Sequence, residues 1–298
     1  MTEPTLTTSV DTLVSSGLRF AEAPRWHEGR LYFSDIFAHR VMRVDESGTS
    51  EIVHEFTDGE HPSGLGFLPD GRLLIVDMSR PRVLRLDAPG TVAVHADLTD
   101  LAVGSLNDMV VDRDGRAYVG SMGTHQATEP RPVEADGRVI LVEPDGSARV
   151  VATEVDDPNG PVLTPDGTYV VASFPSARLI AFDRTPDGGL TNRRVWAELT
   201  PGSADGIAVD REGAIWTASP LQGVCRRVLD GGEVTDVVPI SDTAGPEADK
   251  LPVACALGGH DGRTLFVLSL TGGVAAIAAG TTGSVVETAR VSVPAPSV

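Results

Sequence analysis

The chain repeats one pattern, in which a polar turn ending in glycine is followed by a short apolar stretch. Residues 69–75 read PDGRLLI and residues 113–119 read RDGRAYV. Six copies occur at spacings of 42 to 52 residues, and their turn glycines are Gly29, Gly71, Gly115, Gly167, Gly213 and Gly262. A repeat of this length that fills the chain predicts an array of similar structural units.

Each repeat has the pattern of four short antiparallel strands. Asp-Gly between two apolar runs favours a hairpin, because glycine accepts the positive φ that such a turn needs. Third strands are predicted at 40–44, 82–86, 138–142 and 178–182, and fourth strands at 50–55, 92–96, 148–152 and 193–198. Four antiparallel strands repeated around an axis form the blades of a propeller. The sequence therefore predicts an all-β fold, a six-bladed β-propeller with four-stranded antiparallel blades.

The two ends of the chain carry strand-like segments, at residues 8–17 and 285–293. Because they lie at opposite ends of the repeat array, we expect them to pair in one blade and close the ring. No linker separates the repeats. We therefore predict one domain over residues 1–298, with residues 1–13 and 292–298 as peripheral tails.

Composition narrows the class of protein. Hydrophobic residues make up 41% of the chain, and a net charge of −18 without a Lys/Arg cluster excludes nucleic acid and acidic membrane surfaces as partners. No segment resembles a signal peptide or a membrane span, which predicts a cytoplasmic protein. We expect a monomer or a small homo-oligomer. Cys225 and Cys255 are too few for a disulfide framework and are predicted to be buried free thiols.

Candidate chemistry lies eight residues before the turn glycines, where the innermost strand of each blade begins near the central channel. Four repeats place oxygen-bearing side chains there, and these are Ser63, Asn107, Asn159 and Asp205. Glu22 lies one residue nearer to its glycine, and the sixth repeat has Ala254. Such side chains face one another across the axis, and carboxylate and amide oxygens are ligands of hard cations.

Two interpretations of this register are open. Each residue alone is also typical of a loop, where its side chain bonds the local backbone. Glu22, Asn159 and Asp205 together favour one divalent cation, Ca²⁺ first and Zn²⁺ or Mn²⁺ as alternatives. Ser63 carries a neutral hydroxyl, which is a poor ligand beside carboxylates, so we expect it to face substrate or support the structure.

Several short motifs together resemble the senescence marker protein/gluconolactonase/regucalcin family, from about residue 14 to residue 270. They are EAPRW at 22–26, LYFSDI at 31–36, ND at 107–108, PNG at 158–160, DGIAVD at 205–210 and CALGG at 255–259. The resemblance implies a six-bladed propeller that acts as a metal-dependent lactonase. It makes Glu22, Asn159 and Asp205 metal ligands, Asn107 a further ligand or a substrate contact, and Asp205 the general base.

Two departures from the family pattern bear on the substrate, a small-molecule lactone. Animal members carry Arg two residues before the Asn-Asp pair, where this chain has Ser105, and acidic residues follow a stretch that here reads GSMGTH at 120–125. The charged side chains that hold a polar sugar in those members are therefore absent here. Their absence favours a lactone less polar than gluconolactone. The expected substrate contacts are Ser105, His125, Asn107 and Ser63.

Three other functions are weighed against this one. The same metal site also suits a phosphotriesterase-like hydrolase, and a propeller can instead present a non-catalytic face to a ligand or a protein. A strictosidine-synthase-like condensing enzyme would lack the metal ligands that this chain retains. The sequence has no Gly-x-Ser-x-Gly elbow, which disfavours a covalent acyl-enzyme.

Overall fold

The computed structural model describes residues 4–7, 9–57, 59–88, 90–124, 136–174, 176–200 and 202–296. These residues form six antiparallel sheets, which confirms the predicted six-bladed propeller. Two N-terminal strands come first, β1 (Thr5–Leu6) and β2 (Val10–Leu18). Blade one contains β3 (Ala21–His27), β4 (Arg30–Asp35), β5 (Arg40–Val44) and β6 (Ser50–Glu55). Blade two contains β7 (Pro62–Phe67), β8 (Leu73–Asp77), β9 (Arg82–Ala88) and β10 (Thr91–Asp97).

The remaining blades follow in chain order. Blade three contains β11 (Leu106–Val111), β12 (Ala117–Ser121), β13 (Arg138–Val142) and β14 (Ala148–Thr153). Blade four contains β15 (Pro158–Leu163), β16 (Tyr169–Ser173), β17 (Arg178–Arg184) and β18 (Leu190–Glu198). Blade five contains β19 (Ile207–Val209), β20 (Ile215–Ser219), β21 (Val224–Val228) and β22 (Val234–Pro239). Blade six contains β23 (Lys250–Gly258), β24 (Thr264–Thr271) and β25 (Gly283–Arg290), with the short helix α1 (Gly273–Ala278) between the last two.

The turn glycines join the first and second strands of the blades as the sequence predicts. All six have a positive φ, from 71° at Gly262 to 90° at Gly167. A side chain at these positions would be strained, which explains why glycine recurs in every repeat. The Asp side chains of these turns, such as Asp70 and Asp114, face solvent.

The ring closes through the N-terminal segment. β2 pairs antiparallel with β25, from Val10 opposite Ala289 to Leu18 opposite Ser284, which confirms the predicted pairing of the two chain ends. β1 pairs in parallel with β22. Within the segment 1–13, expected as a tail, Thr5–Leu6 and residues 10–13 thus lie in strands at the outer edges of blades five and six.

The innermost strands surround one axis. β3, β7, β11, β15, β19 and β23 each contact the next in this order, and β23 contacts β3. Large side chains fill the spaces between the blades, and the fully buried ones include Trp216, Tyr118, Tyr169 and Phe33. Cys225 and Cys255 are free and buried, as predicted. Within the described ranges, no helix is long and apolar enough to cross a membrane.

Candidate metal and substrate site

The structure places the predicted site residues at equivalent points around the axis. Glu22, Ser63, Asn107 and Asn159 are each the second residue of an innermost strand, and Asp205 lies two residues before β19. In the first four strands the pairing register shifts directly after these residues. Such β-bulges redirect side chains and are common beside active sites. Because all four residues occupy the same position at the start of an innermost strand, they lie at the same end of the channel.

Glycines after three of these residues let neighbouring innermost strands approach closely. A methyl group added at Gly64 would lie 2.7 Å from the amide nitrogen of Met109, and one at Gly160 would lie 2.5 Å from that of Ile207. One at Gly206 would lie 2.6 Å from Cβ of Ala254. No side chain fits in these spaces, so the tight ring of strands depends on glycine at each position.

Hydrogen bonds link the site residues of neighbouring blades. Ser63 Oγ donates to Oδ1 of Asn107 at 3.3 Å, and Asn107 Nδ2 donates to the carbonyl oxygen of Pro158 at 3.4 Å. Asn159 and Asp205 also share a side-chain hydrogen bond. Within blade one, the amide of Ala23 donates to Oε2 of Glu22 at 2.6 Å. The side-chain amides of Asn107 and Asn159 are therefore held in one orientation beside the carboxyls of Glu22 and Asp205.

Glu22 and Asp205 are buried acids that form no ion pair among the described residues. Burial and then the charges of Asp205 and Asp108 raise the pKa of Glu22 well above its usual value. Burial and then the charge of Asp157 raise the pKa of Asp205 in the same way. Among the described residues, neither acid forms an ion pair with Lys, Arg or His. Two carboxyls that disfavour ionisation together form a site that a divalent cation would neutralise.

An ion pair lies near these acids. Arg25 Nη2 lies 2.9 Å from Oδ1 of Asp108, and the same guanidinium donates to the carbonyl oxygen of Met109. Burial raises the pKa of Asp108, while the charge of Arg25 lowers it. The sequence analysis missed this pair. Asp108 is therefore paired with Arg25, whereas Glu22 and Asp205 form no ion pair in the described part of the chain.

The other predicted substrate residues differ in their surroundings. Ser63 is only 2% exposed. Ser105 is exposed, and its carbonyl oxygen accepts the amide of Met122 at 2.9 Å. His125 lies outside the described residues. No group of three His, Cys, Asp or Glu side chains in the described part of the chain is arranged to hold a metal ion, so a site here needs the amide oxygens as well.

A cavity of about 830 Å³ lies at the opposite end of the channel. Its walls come from the far ends of innermost strands, including Trp26, Val162 and Leu257, and from Pro296 near the C-terminus. Of the predicted site residues that the structure describes, none lines it. This cavity, which Arg25 also lines, and the oxygen-bearing residues therefore lie at different ends of the innermost strands.

Comparison with known families assigns the chain to one of them. The sequence profile described as the SMP-30/Gluconolactonase/LRE-like region matches residues 20–271. The chain belongs to this family. The match includes Glu22, Ser63, Asn107, Asn159 and Asp205, and it confirms the resemblance found in the short motifs. Members of the SMP-30/gluconolactonase family are therefore the right proteins for comparison.

Two relatives carry names that describe an activity. Pentonolactonase XacC of Haloferax volcanii is 32% identical over 280 residues, which cover 85% of this chain and 87% of that protein. A 6-deoxy-6-sulfogluconolactonase of Pseudomonas putida is 28% identical over 254 residues, covering 83% and 82% of the two chains. A solved structure, the calcium-binding protein regucalcin of Agrobacterium tumefaciens, shares the fold with a TM-score of 0.78 at 21% identity, over 98% of this chain and 97% of that one.

Proposed function

We propose that the protein is a divalent-metal-dependent lactonase that opens a cyclic ester by hydrolysis. The observation that carries this proposal is the pair of buried acids without an ion pair among the described residues, Glu22 and Asp205, beside two oriented amides. The two relatives named as lactonases support the reaction class. The solved regucalcin with the same fold is named as a calcium-binding protein, and on this basis we propose a divalent ion.

The donor set fits a hard cation. Glu22 and Asp205 supply two carboxylates, and Asn107 and Asn159 supply amide oxygens, which together suit Ca²⁺ best and leave Zn²⁺ or Mn²⁺ as alternatives. Two negative charges balance one divalent ion. When bound at these oxygens, the ion supplies Lewis-acid polarisation of the ester carbonyl.

The protein's own residues carry the proton transfer. Asp205 acts as the general base and takes a proton from the water that attacks the carbonyl carbon. The bond between that carbon and the ring oxygen then breaks, and Asp205 returns the proton to the leaving ring oxygen, which gives the open-chain hydroxy acid. A side-chain hydrogen bond with Asn159 holds the Asp205 carboxyl in place. Ser63 fixes the orientation of the Asn107 amide. Arg25 keeps Asp108 paired and prevents a third uncompensated negative charge beside the site.

We further propose that the preferred lactone is less polar than gluconolactone. Ser105 at the exposed rim offers a hydroxyl where animal relatives have Arg, so a polyhydroxylated ring loses a charged hydrogen-bond donor. A site that lacks such donors no longer prefers the polar substrate over a less polar one. Ser105 and His125 are then the residues that contact the ring.

The test combines metal analysis with a panel of alkyl, aryl and sugar lactones, assayed with and without chelator. We expect activity that chelation removes and Ca²⁺ restores, and higher kcat/KM on alkyl or aryl lactones than on glucono-1,5-lactone. Asp205→Asn abolishes turnover on every lactone, while the exposed turn variant Asp70→Asn leaves it unchanged. Chelator-resistant activity, or near-normal turnover in Asp205→Asn, would contradict the mechanism. A best rate on paraoxon-like esters would instead assign a phosphotriesterase.

A further inference from the structure

One buried polar residue recurs at the end of the second strand in five blades. It lies six residues after the turn glycine and is the last residue of its strand. Each of these residues is at most 1% exposed, and they are Asp35, Asp77, Ser121, Ser173 and Ser219. Burying a polar side chain is unfavourable unless it forms a hydrogen bond, so each needs a partner.

The partner is always the loop that leads into the innermost strand. Asp35 Oδ1 accepts the amides of Arg19 and Phe20 at 3.0 and 2.9 Å. Asp77 Oδ1 accepts the amide of His61 at 3.3 Å. Arg40 and Arg82 lie 2.9 Å from the second oxygens of Asp35 and Asp77, respectively, and balance their charges.

The serines form the equivalent bond in blades three to five. Ser121 Oγ donates to the carbonyl oxygen of Val103 at 2.7 Å and accepts its amide at 2.8 Å. Ser173 Oγ donates to the carbonyl oxygen of Asp156 at 2.6 Å. Ser219 Oγ donates to that of Ser203 at 2.7 Å.

Every bonded backbone group lies two to four residues before a predicted site residue. Phe20, His61 and Ser203 each precede theirs by two residues, Asp156 by three and Val103 by four. Blade six has neither the polar residue at this position of its second strand nor an oxygen-bearing site residue. Leu268 lies six residues after Gly262, and Ala254 occupies the site register. The five blades that hold the loop are therefore the five that carry a site oxygen.

We propose that Asp35, Asp77, Ser121, Ser173 and Ser219 are positioning residues for the channel site. They act through the loop backbone and set where Glu22, Ser63, Asn107, Asn159 and Asp205 enter the channel. This inference rests on the proposed function. Residues that orient metal ligands from outside the ligand shell commonly contribute ten- to a hundredfold to metal affinity or activity.

Ser219 gives the sharpest test, because it acts on the loop before Asp205. Ser284 is the matched control, since its buried hydroxyl donates to the carbonyl oxygen of Ser269 at 2.9 Å in blade six, which carries no site oxygen. We expect Ser219→Ala to weaken Ca²⁺ binding and lower kcat by about ten- to a hundredfold, with little change in KM. Ser284→Ala loses similar thermal stability but keeps both values. Ser219→Thr, which keeps a hydroxyl, restores them.

Equal kcat and equal Ca²⁺ affinity in Ser219→Ala and Ser284→Ala would overturn the proposal. If the wild-type protein neither binds Ca²⁺ nor opens a lactone, the proposed function fails, and amide hydrogen exchange without metal tests the positioning role alone. The amides of Asp205 and Gly206 donate to the carbonyl oxygens of Ala218 and Val253 at 3.0 and 2.7 Å. We expect both amides to exchange faster in Ser219→Ala than in Ser284→Ala, and equal exchange would overturn the role.

Discussion

Removal of the Arg25 guanidinium tests the electrostatics of the channel. Arg25 Nη2 lies 2.9 Å from Asp108, whose side chain is only 6% exposed, and two further bonds tie the guanidinium to the carbonyl oxygens of Pro24 and Met109. The variant Arg25→Met keeps the apolar stem and removes the charge. Asp108 then remains as a buried carboxyl without its ion pair, near Glu22 and Asp205.

The expected cost follows from that burial. Removal of one partner from a buried ion pair costs about 3–5 kcal/mol of unfolding free energy, because the other charge stays buried. For a chain of 298 residues, that cost lowers Tm by about 5–8 °C. The exposed pair of Arg194 with Asp183, at 2.7 Å, provides the control, and Arg194→Met costs at most about 1 kcal/mol.

The assay is thermal and urea unfolding in the presence of chelator, for Arg25→Met, Asp108→Asn and the double variant. We expect the double variant to recover most of the stability that Arg25→Met loses, since Asn carries no charge that needs a partner. A loss below about 1 kcal/mol in Arg25→Met would refute the reasoning, because exposed pairs lose no more than that. A double variant as unstable as Arg25→Met would also refute it.

Three further outcomes are expected. Ca²⁺ at a hundred times its Kd stabilises the wild-type protein by about 2.7 kcal/mol, which is measurable as a rise in Tm, and Glu22→Gln removes that rise; an equal rise in Glu22→Gln would exclude Glu22 as a ligand. In chelator, we expect Asp205→Asn to have a higher Tm than the wild type, because one of two mutually repelling acids is gone. In excess Ca²⁺, we expect its Tm to be lower than that of the wild type. A lower Tm than the wild type under both conditions would contradict this. Gly206→Ala costs about 1–3 kcal/mol, since its new methyl group would lie 2.6 Å from Cβ of Ala254; unfolding like that of the wild type would contradict the close approach of the strands.

The blades could be predicted because their signal is local. Each turn needs glycine for its positive φ, and counting back eight residues from most of these glycines finds the oxygen-bearing position. Counting forward six residues would have found Asp35 and Ser219 as well. Polar residues within apolar strands are the signal that the sequence analysis did not use.

Contacts across the channel could not be predicted in this way. Arg25 and Asp108 are 83 residues apart, and no spacing within a repeat connects them. Their pairing depends on where the bulges of β3 and β11 direct side chains in three dimensions. The cavity at the far end likewise depends on how innermost strands diverge, and the apolar pattern of each strand alone does not encode that divergence.

The strand β2, which closes the propeller, also determines when the ring can form. β2 ends at Leu18, and Glu22 follows almost directly in blade one. Residues 10–18 pair with residues 283–290, so the ring can shut only after nearly the whole chain has been synthesised. Contacts so distant in sequence slow folding. Glu22 belongs to blade one and Asp205 to blade five, and blade six with its closing strand lies between them. An ion bound by both residues would therefore stabilise the ring after it has closed.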